Sequence, residues 1–184
     1  MIERSDERDS AIDAVLPLVP YKGWSLATLR AAGVADGDLL FPGGTADLIE
    51  AWCDLADRRM AAAVLPEGLG LTGRVRALIE IRLAQTRPHK QAVRRALAWM
   101  ALPGHRAVAA RTAMRTVDAI WHAAGDTSAD MAWYSKRAIL AGVYGAVLLY
   151  WVGQTDADDA PTLAFLDRQL ARVGTLGRLR RRAA

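Results

Sequence analysis

The sequence predicts an all-α protein, with a short N-terminal helix-turn-helix-like module followed by a helical bundle. Three observations carry that reading. Apolar residues recur at helical spacing along nearly the whole chain, as in Val75, Leu78, Ile79, Arg82 and Leu83 or in Leu163, Leu166, Leu170 and Val173. Period-two alternation and Asn-Gly or Asp-Gly hairpins between apolar runs are missing. Gly and Pro fall between the periodic stretches, where they end or start helices.

The elements follow in order. A first helix is expected over 6–19, with Ile12, Val15, Leu16 and Val19 as its apolar stripe and Pro17 and Pro20 making its end irregular. A short helix over 24–32 is capped by Ser25 and stopped at Gly33. Residues 38–41 form one more turn. Pro42-Gly43-Gly44 breaks the chain, and Thr45 caps a helix to about 64. After a linker over 66–70, a helix covers 72–85. Pro88 starts another to 101, and a longer one follows Pro103-Gly104 to about 123. Gly125-Asp126 closes it. Thr127 or Ser128 then caps a helix over 129–152, with Asp130 favouring its dipole. Pro161 opens a last helix to about 173. The organisation is therefore a module over 1–65, a bundle over 66–174 and a basic tail over 175–184.

Composition removes several function classes. The chain has 184 residues, enough for one domain with a real core. A single cysteine, Cys53, excludes an internal disulfide and a cysteine-based zinc site. His89, His105 and His122 have no metal-ligand spacing, so no metal is expected. No nucleophile elbow, Walker loop, dinucleotide glycine pattern or di-iron carboxylate set occurs. His122 near Asp118 and Asp126 is the nearest thing to a titrating cluster, and a capping or exposed histidine explains it. No catalytic residue and no cofactor are assigned.

Residues 1–10 have no apolar h-region and are too acidic for a transit peptide. The longest apolar run, 138–152, is shorter than the roughly 20 residues that span a bilayer. A cytoplasmic protein is expected, with peripheral membrane contact open. The net charge is +4 but uneven. From Arg74 to Arg115 the acidic residue is Glu80 alone, amid ten basic ones. Such a segment suits an anionic partner or a solvated surface.

One stretch stands apart. Asp130, Trp133, Tyr134 and Arg137 lie at i, i+3, i+4 and i+7, on one face of a helix. Two readings fit: core aromatics with Arg137 paired to Asp130, or a Trp/Tyr/Arg docking face of the kind that dominates binding hot spots.

The opening, from Ile12 through Gly23-Trp24 and Gly33-Val34 to Ile49, resembles the N-terminal module of TetR-type regulators. Its charge opposes a DNA reader. Between Tyr21 and Glu50 the basic residues are Lys22 and Arg30, whereas Asp36, Asp38, Asp47 and Glu50 are acidic. Phosphate contact dominates duplex affinity, and carboxylates repel it. The third helix is also short for a major groove. A nucleic-acid partner is not expected.

The segment Trp121-His-Ala-Ala-Gly-Asp-Thr-Ser-Ala-Asp-Met-Ala-Trp-Tyr-Ser-Lys-Arg-Ala138 resembles the signature of the ubiquinone (coenzyme Q) biosynthesis accessory lipid-binding family, the ninth of the Coq proteins. The likeness continues through Leu140-Ala-Gly-Val-Tyr144, Leu148-Leu-Tyr-Trp151 and Phe165-Leu-Asp-Arg168, with weaker matches upstream. It implies a TetR-like fold with a lipid-filled cavity and no catalysis of its own. It implies binding of an isoprenoid quinone intermediate or a phospholipid, presented to demethoxyubiquinone hydroxylase. Carried over by residue, the hydroxylase-facing surface is Asp130, Trp133, Tyr134 and Arg137, with Asp130 holding Arg137.

The candidate lipid lining is Trp99, Met114, Val117, Trp121, Leu140, Tyr144 and Leu148; ordinary core packing is the alternative for each. The resemblance also implies a homodimer through the last two helices. Eukaryotic members carry a longer C-terminal amphipathic helix, whereas this chain stops soon after 165–173. Its Arg178, Arg180, Arg181 and Arg182 would give salt-sensitive contact with an anionic membrane surface, on the order of 1 kcal/mol each. That surface would be the inner membrane, on the matrix side in a mitochondrial member. A TetR-like transcriptional regulator and a protein scaffold without lipid are the competing functions.

Overall fold

The architecture is helix upon helix around one continuous apolar core, and the sequence shows how each layer is attached. The computed structural model describes residues 3–126, 131–155 and 158–182, with side chains as far as residue 173 apart from those of residues 131 and 132. All regular structure among them is helical.

Helix α1 (Asp6–Val15) starts at Ser5, whose hydroxyl accepts from Arg8 N, and carries Asp6, Glu7 and Asp9 in its first turn. It is shorter than the sequence predicts. Pro17 interrupts it, and Pro20 then sits in the first turn of the single-turn α2 (Val19–Lys22). Gly23 takes φ +76°, which turns the chain before Trp24. Ser25 caps α3 (Leu26–Ala31) as expected, and Gly33 stops it at φ +91°. A further single turn, α4 (Gly37–Leu40), precedes α5 (Gly44–Ala61). Thr45 does not cap α5: Gly43 holds the cap position, and the Thr45 hydroxyl donates to Trp24 O at 3.3 Å.

The rest of the chain is α6 (Leu71–Thr86), α7 (Lys90–Met100), α8 (Arg106–Ala123), α9 (Met131–Gly153) and α10 (Ala160–Arg182). One 3-10 turn, Arg87–His89, joins α6 to α7, and another, Pro103–His105, joins α7 to α8. Helix α10 runs to Arg182, well past the expected end near residue 173, so the backbone of the basic tail continues the helix.

Helix α5 is the central strut. It packs on α1, α6 and α8, while α9 packs on α7, α8 and α10. The α1–α5 seam is ionic at its rim. Arg58 pairs with Asp9 and Asp54, Arg59 with Asp13, and Arg4 with Asp54. Beneath it, Arg8 is buried with its guanidinium 4.4 Å from the Phe41 ring centroid and 2.7 Å from Asp47, and it donates to Leu40 O. One side chain thus ties α1, α4 and α5.

Trp24 ties the turn after α2 to both α5 and α7. Its ring lies 5.0 Å from Trp52, and Nε1 donates to Ala92 O at 3.0 Å.

The basic stretch from Arg74 to Arg115 is largely engaged inside the molecule rather than held out to an anionic partner. Arg82 meets Asp57; Arg111 and Arg115 share Glu50; Arg76 reaches Glu80 and Asp167; Arg87 meets Asp159. Lys90 and Arg94 donate to the Val152 and Gln154 carbonyls at the end of α9, where cations suit the dipole.

Two outcomes follow. Trp24→Ala should lower the unfolding free energy by roughly 3–5 kcal/mol, read from urea midpoints at unchanged slope, because a cavity opens between α5 and α7. The second concerns acid. Burial alone would raise the Glu50 carboxyl, but hydrogen bonds from Arg111 and Arg115 outweigh it and hold the value below normal. Its contribution is therefore full above the ordinary carboxylate value of 4.5 and is lost as pH falls through the lowered folded value. Glu50→Gln should be less stable than the parent at pH 7, with the gap closing in urea titrations below the ordinary carboxylate range.

Candidate functional site

Helices α7, α8 and α9 enclose a cavity of about 360 Å³, left open chiefly by small residues on α8 and α9. On α8 the facing positions are Ala109, Thr112, Ala113 and Thr116; on α9 they are Ala141, Tyr144, Gly145 and Leu148. Both sets run i, i+3, i+4, i+7, so each is one helix face. Val93, Ala96, Leu97 and Met100 of α7 and Trp52 of α5 complete an apolar wall. A Cβ placed on Gly145 would meet no atom within 4 Å, which confirms open space beside α9. Exposed Leu149 stands at the rim.

One end of this cavity is polar. Arg82, Thr86, Thr116, Cys53 and Tyr144 gather there. Arg82 is 5% exposed, and its Nε donates to Asp57 Oδ1 at 3.0 Å; Thr116 Oγ1 donates to Asp57 Oδ2 at 2.9 Å. Burial pushes the Asp57 carboxyl upward, against the pull of Arg82. It also pushes the Tyr144 phenol and the Cys53 thiol up to about 12, so both stay protonated at neutral pH. Asp57 is also on the wall of a second, charged cleft of about 1060 Å³, lined by Arg4, Asp54, Arg58, Arg115, Asp118 and His122 among others. The Arg82–Asp57–Thr116 bridge is the partition between the two.

Of the predicted lining, Tyr144 and Leu148 face the apolar cavity and the other five do not. Val117 and Leu140 are buried in the core. Met114 is 44% exposed on α8. Trp99 stacks on His105 with centroids 3.5 Å apart, and Lys136 lies 5.7 Å from the Trp121 ring. The expected lining consists mostly of bulky apolar residues. Those fill space; the alanine and glycine positions that leave it open were the usable signal.

The aromatic stripe occupies the first turns of α9. Tyr134 is 67% exposed, and Trp133 is half-buried against it, edge to face at 4.7 Å. Arg137 is 6% exposed and does not project outward. Its guanidinium lies 3.7 Å from the Trp133 ring centroid, and Nε and Nη2 reach Asp118 Oδ1 at 2.8 and 2.7 Å. The observed carboxylate partner is thus Asp118 of α8, nineteen residues back. Asp130 lies outside the described residues, as do the side chains of Arg178, Arg180, Arg181 and Arg182. Gly125, at φ +80°, closes α8, and Lys136 pairs with Asp126 at 2.8 Å, pinning the start of α9.

Among the described residues no three His, Cys, Asp or Glu side chains gather in a metal-binding group. No described helix is long and apolar enough to cross a membrane.

Residues 107–177 match the COQ9 family model. The chain is 28% identical over 182 residues to the mitochondrial ubiquinone biosynthesis protein COQ9 of Xenopus tropicalis, covering 90% of this chain and 57% of that one. It is 27% identical over 184 residues to the mitochondrial coq9 protein of Schizosaccharomyces pombe, covering 96% and 73%. With the Rattus norvegicus COQ9 protein the identity is 33% over 103 residues, or 56% of this chain and 33% of that one. The chain therefore spans little more than half the length of the Xenopus relative. In three dimensions it resembles the TetR transcriptional regulator of Nitrosomonas europaea ATCC 19718, with TM-score 0.73 and 22% identity over 91% of this chain and 98% of that one. The expected TetR-like fold is present.

Arg137→Ala and Trp133→Phe should be non-additive. A double-mutant cycle on urea unfolding should give a coupling of about 0.5–2 kcal/mol, since the guanidinium lies over the ring and is largely shielded from water. Additive effects would mean that the stack does not hold Trp133.

Proposed function

From the kinship of this chain with the COQ9 ubiquinone biosynthesis proteins, we propose that it is a non-enzymatic accessory protein of that pathway. It holds an isoprenoid quinone intermediate, or another lipid, between α7, α8 and α9 and presents it to demethoxyubiquinone hydroxylase. The observation that carries the reading is the cavity itself, an apolar space left open by small residues on two facing helices. Its volume falls within the roughly 300–1,000 Å³ usual for ligand pockets. Each buried methylene contributes about 0.8 kcal/mol, so a prenyl chain resides there rather than in water.

The hydroxylase docks on the start of α9. Tyr134 and the face of Trp133 are the contacts, and Arg137 sets the Trp133 ring from behind while tied to Asp118. Asp130, outside the described residues, is assigned to the same interface from the sequence pattern alone. Arg178, Arg180, Arg181 and Arg182, on the last turns of α10, attract an anionic membrane surface that supplies or receives the lipid. Helices α9 and α10 pair in a homodimer. The site is peripheral to the inner membrane, consistent with the mitochondrial names of the relatives.

The fold likeness to a TetR regulator favours one other reading, DNA binding. Two features oppose it. The helix that would enter a groove, α4, is a single turn, and Asp36 and Asp38 flank its start. Sequence-selective, salt-dependent binding to the DNA beside its own gene would reverse that judgement.

Organic extraction of the purified protein followed by mass spectrometry should recover isoprenoid or phospholipid; repeated empty preparations would remove the carrier role. Replacing Trp133 and Tyr134 with Glu should weaken hydroxylase capture by about 30-fold or more while leaving the bound lipid unchanged. Undiminished capture would place the interface elsewhere.

A further inference from the structure

The polar end of the cavity contains donors that the protein itself does not use. Thr86 Oγ1 donates to the Arg82 and Leu83 carbonyls, and Thr112 Oγ1 to those of Val108 and Ala109. Thr116 Oγ1 is engaged with Asp57. The Cys53 thiol is only a weak donor, so two side chains with strong donors remain. Arg82 uses Nε on Asp57, and neither of its terminal nitrogens has a hydrogen-bond partner among the described residues. The Tyr144 hydroxyl has none either. Both residues are more than nine-tenths buried, yet none of these three atoms is sealed off within packed protein. They open onto the cavity that both residues line. A buried donor without an acceptor costs stability, so an acceptor inside the cavity would complete the arrangement.

The charge balance restricts that acceptor. Asp57 already faces Arg82 at 3.0 Å, which makes the floor nearly neutral. An anionic head would have no unmatched cation to meet and would be desolvated on entry. The rest of the wall is apolar.

We propose that Arg82 and Tyr144 form a specificity floor that binds an uncharged oxygen acceptor, such as a quinone carbonyl, at the leading end of an otherwise apolar ligand. The ligand enters head first, with its oxygen on the Arg82 terminal nitrogens and the Tyr144 hydroxyl and its chain running out along α8 and α9 past Leu149. This rests on the carrier reading of the same cavity. It adds that the cavity selects by the head and not by the tail alone.

Quenching of tryptophan emission tests it, since Trp52 stands in the wall. The probes are a geranyl-substituted benzoquinone, squalene as an isoprenoid without oxygen, and oleate as an anionic head; squalene and oleate are read by displacement of the quinone. Wild type should bind the quinone at least tenfold tighter than either. Tyr144→Phe keeps the ring and its packing, and should weaken the quinone about three- to tenfold while changing squalene by less than twofold. The paired change Arg82→Gln with Asp57→Asn removes both charges together and should also erase the quinone preference.

If quinone and squalene bind equally, and Tyr144→Phe alters neither, the specificity floor is wrong while the carrier reading stands. Tighter binding of oleate than of the quinone overturns the uncharged head. Failure of every probe to bind wild type overturns the carrier reading, and the floor with it.

Discussion

A guanidinium enclosed by apolar helices must be given a carboxylate, and the interior of this protein is arranged around that requirement. Arg82 on α6 is matched by Asp57 on α5, and Asp57 is completed by Thr116 on α8. Removing one partner of such a pair strands a buried charge and costs about 3–5 kcal/mol, whereas replacing the pair with well-packed apolar side chains is often neutral or stabilising. Stability alone therefore does not account for its presence. What the pair provides beyond a tie between α5, α6 and α8 is position. It stands where the apolar cavity meets the charged cleft, so it divides them and gives the cavity a polar end.

The same economy governs the other arginines. Counted along the sequence, 74–115 is a basic field awaiting an anion. In the folded chain its cations meet Glu50, Asp57, Glu80, Asp159 and Asp167, or close the carbonyl end of α9. Each carboxylate but Glu80 comes from another segment. Arg137 obeys the same rule. Its place under Trp133, with Asp118 behind it, makes it a support for an aromatic surface rather than a contact in its own right.

Which features the sequence reveals follows from how local their causes are. The helices, the Ser25 cap and the Gly33 stop depend on neighbours within a turn, and all are readable from spacing. The early end of α1 is also local, but two prolines in four residues leave the exact break open. The stripe at 133–137 is legible as a face, because a helix fixes which residues share a side. Whether Arg137 points out or in is not legible, since Asp118 lies nineteen residues away on another helix. The cavity is not legible for a related reason. Bulky residues such as Val117 and Leu140 mark where apolar side chains go, and they go into the core. A void is marked by what is missing, and Ala109, Ala113, Ala141 and Gly145 carry that signal only once α8 and α9 are known to face each other.

Those two helices explain how one small bundle keeps a firm aromatic face and an open interior together. Near the start of α9 they are clamped, with Asp118 on Arg137 and Asp126 on Lys136. From about 6 to 12 Å further along α9 than Arg137, at about 1.5 Å per residue, the facing positions are Ala141 and Gly145 and nothing fills the gap. The gap is not imposed by crowding, because a Cβ built on Gly145 meets no atom within 4 Å. A core selected only for stability would place a larger residue there and gain the dispersion contacts. The clamp permits the omission: with the aromatic face already held by ion pairs at one end, α8 and α9 need not interdigitate at the other. The Trp133–Tyr134 face and the cavity floor at Tyr144 are thus carried on one continuous helix, about 16 Å apart along its axis from Trp133 to Tyr144, so the separation between them is fixed.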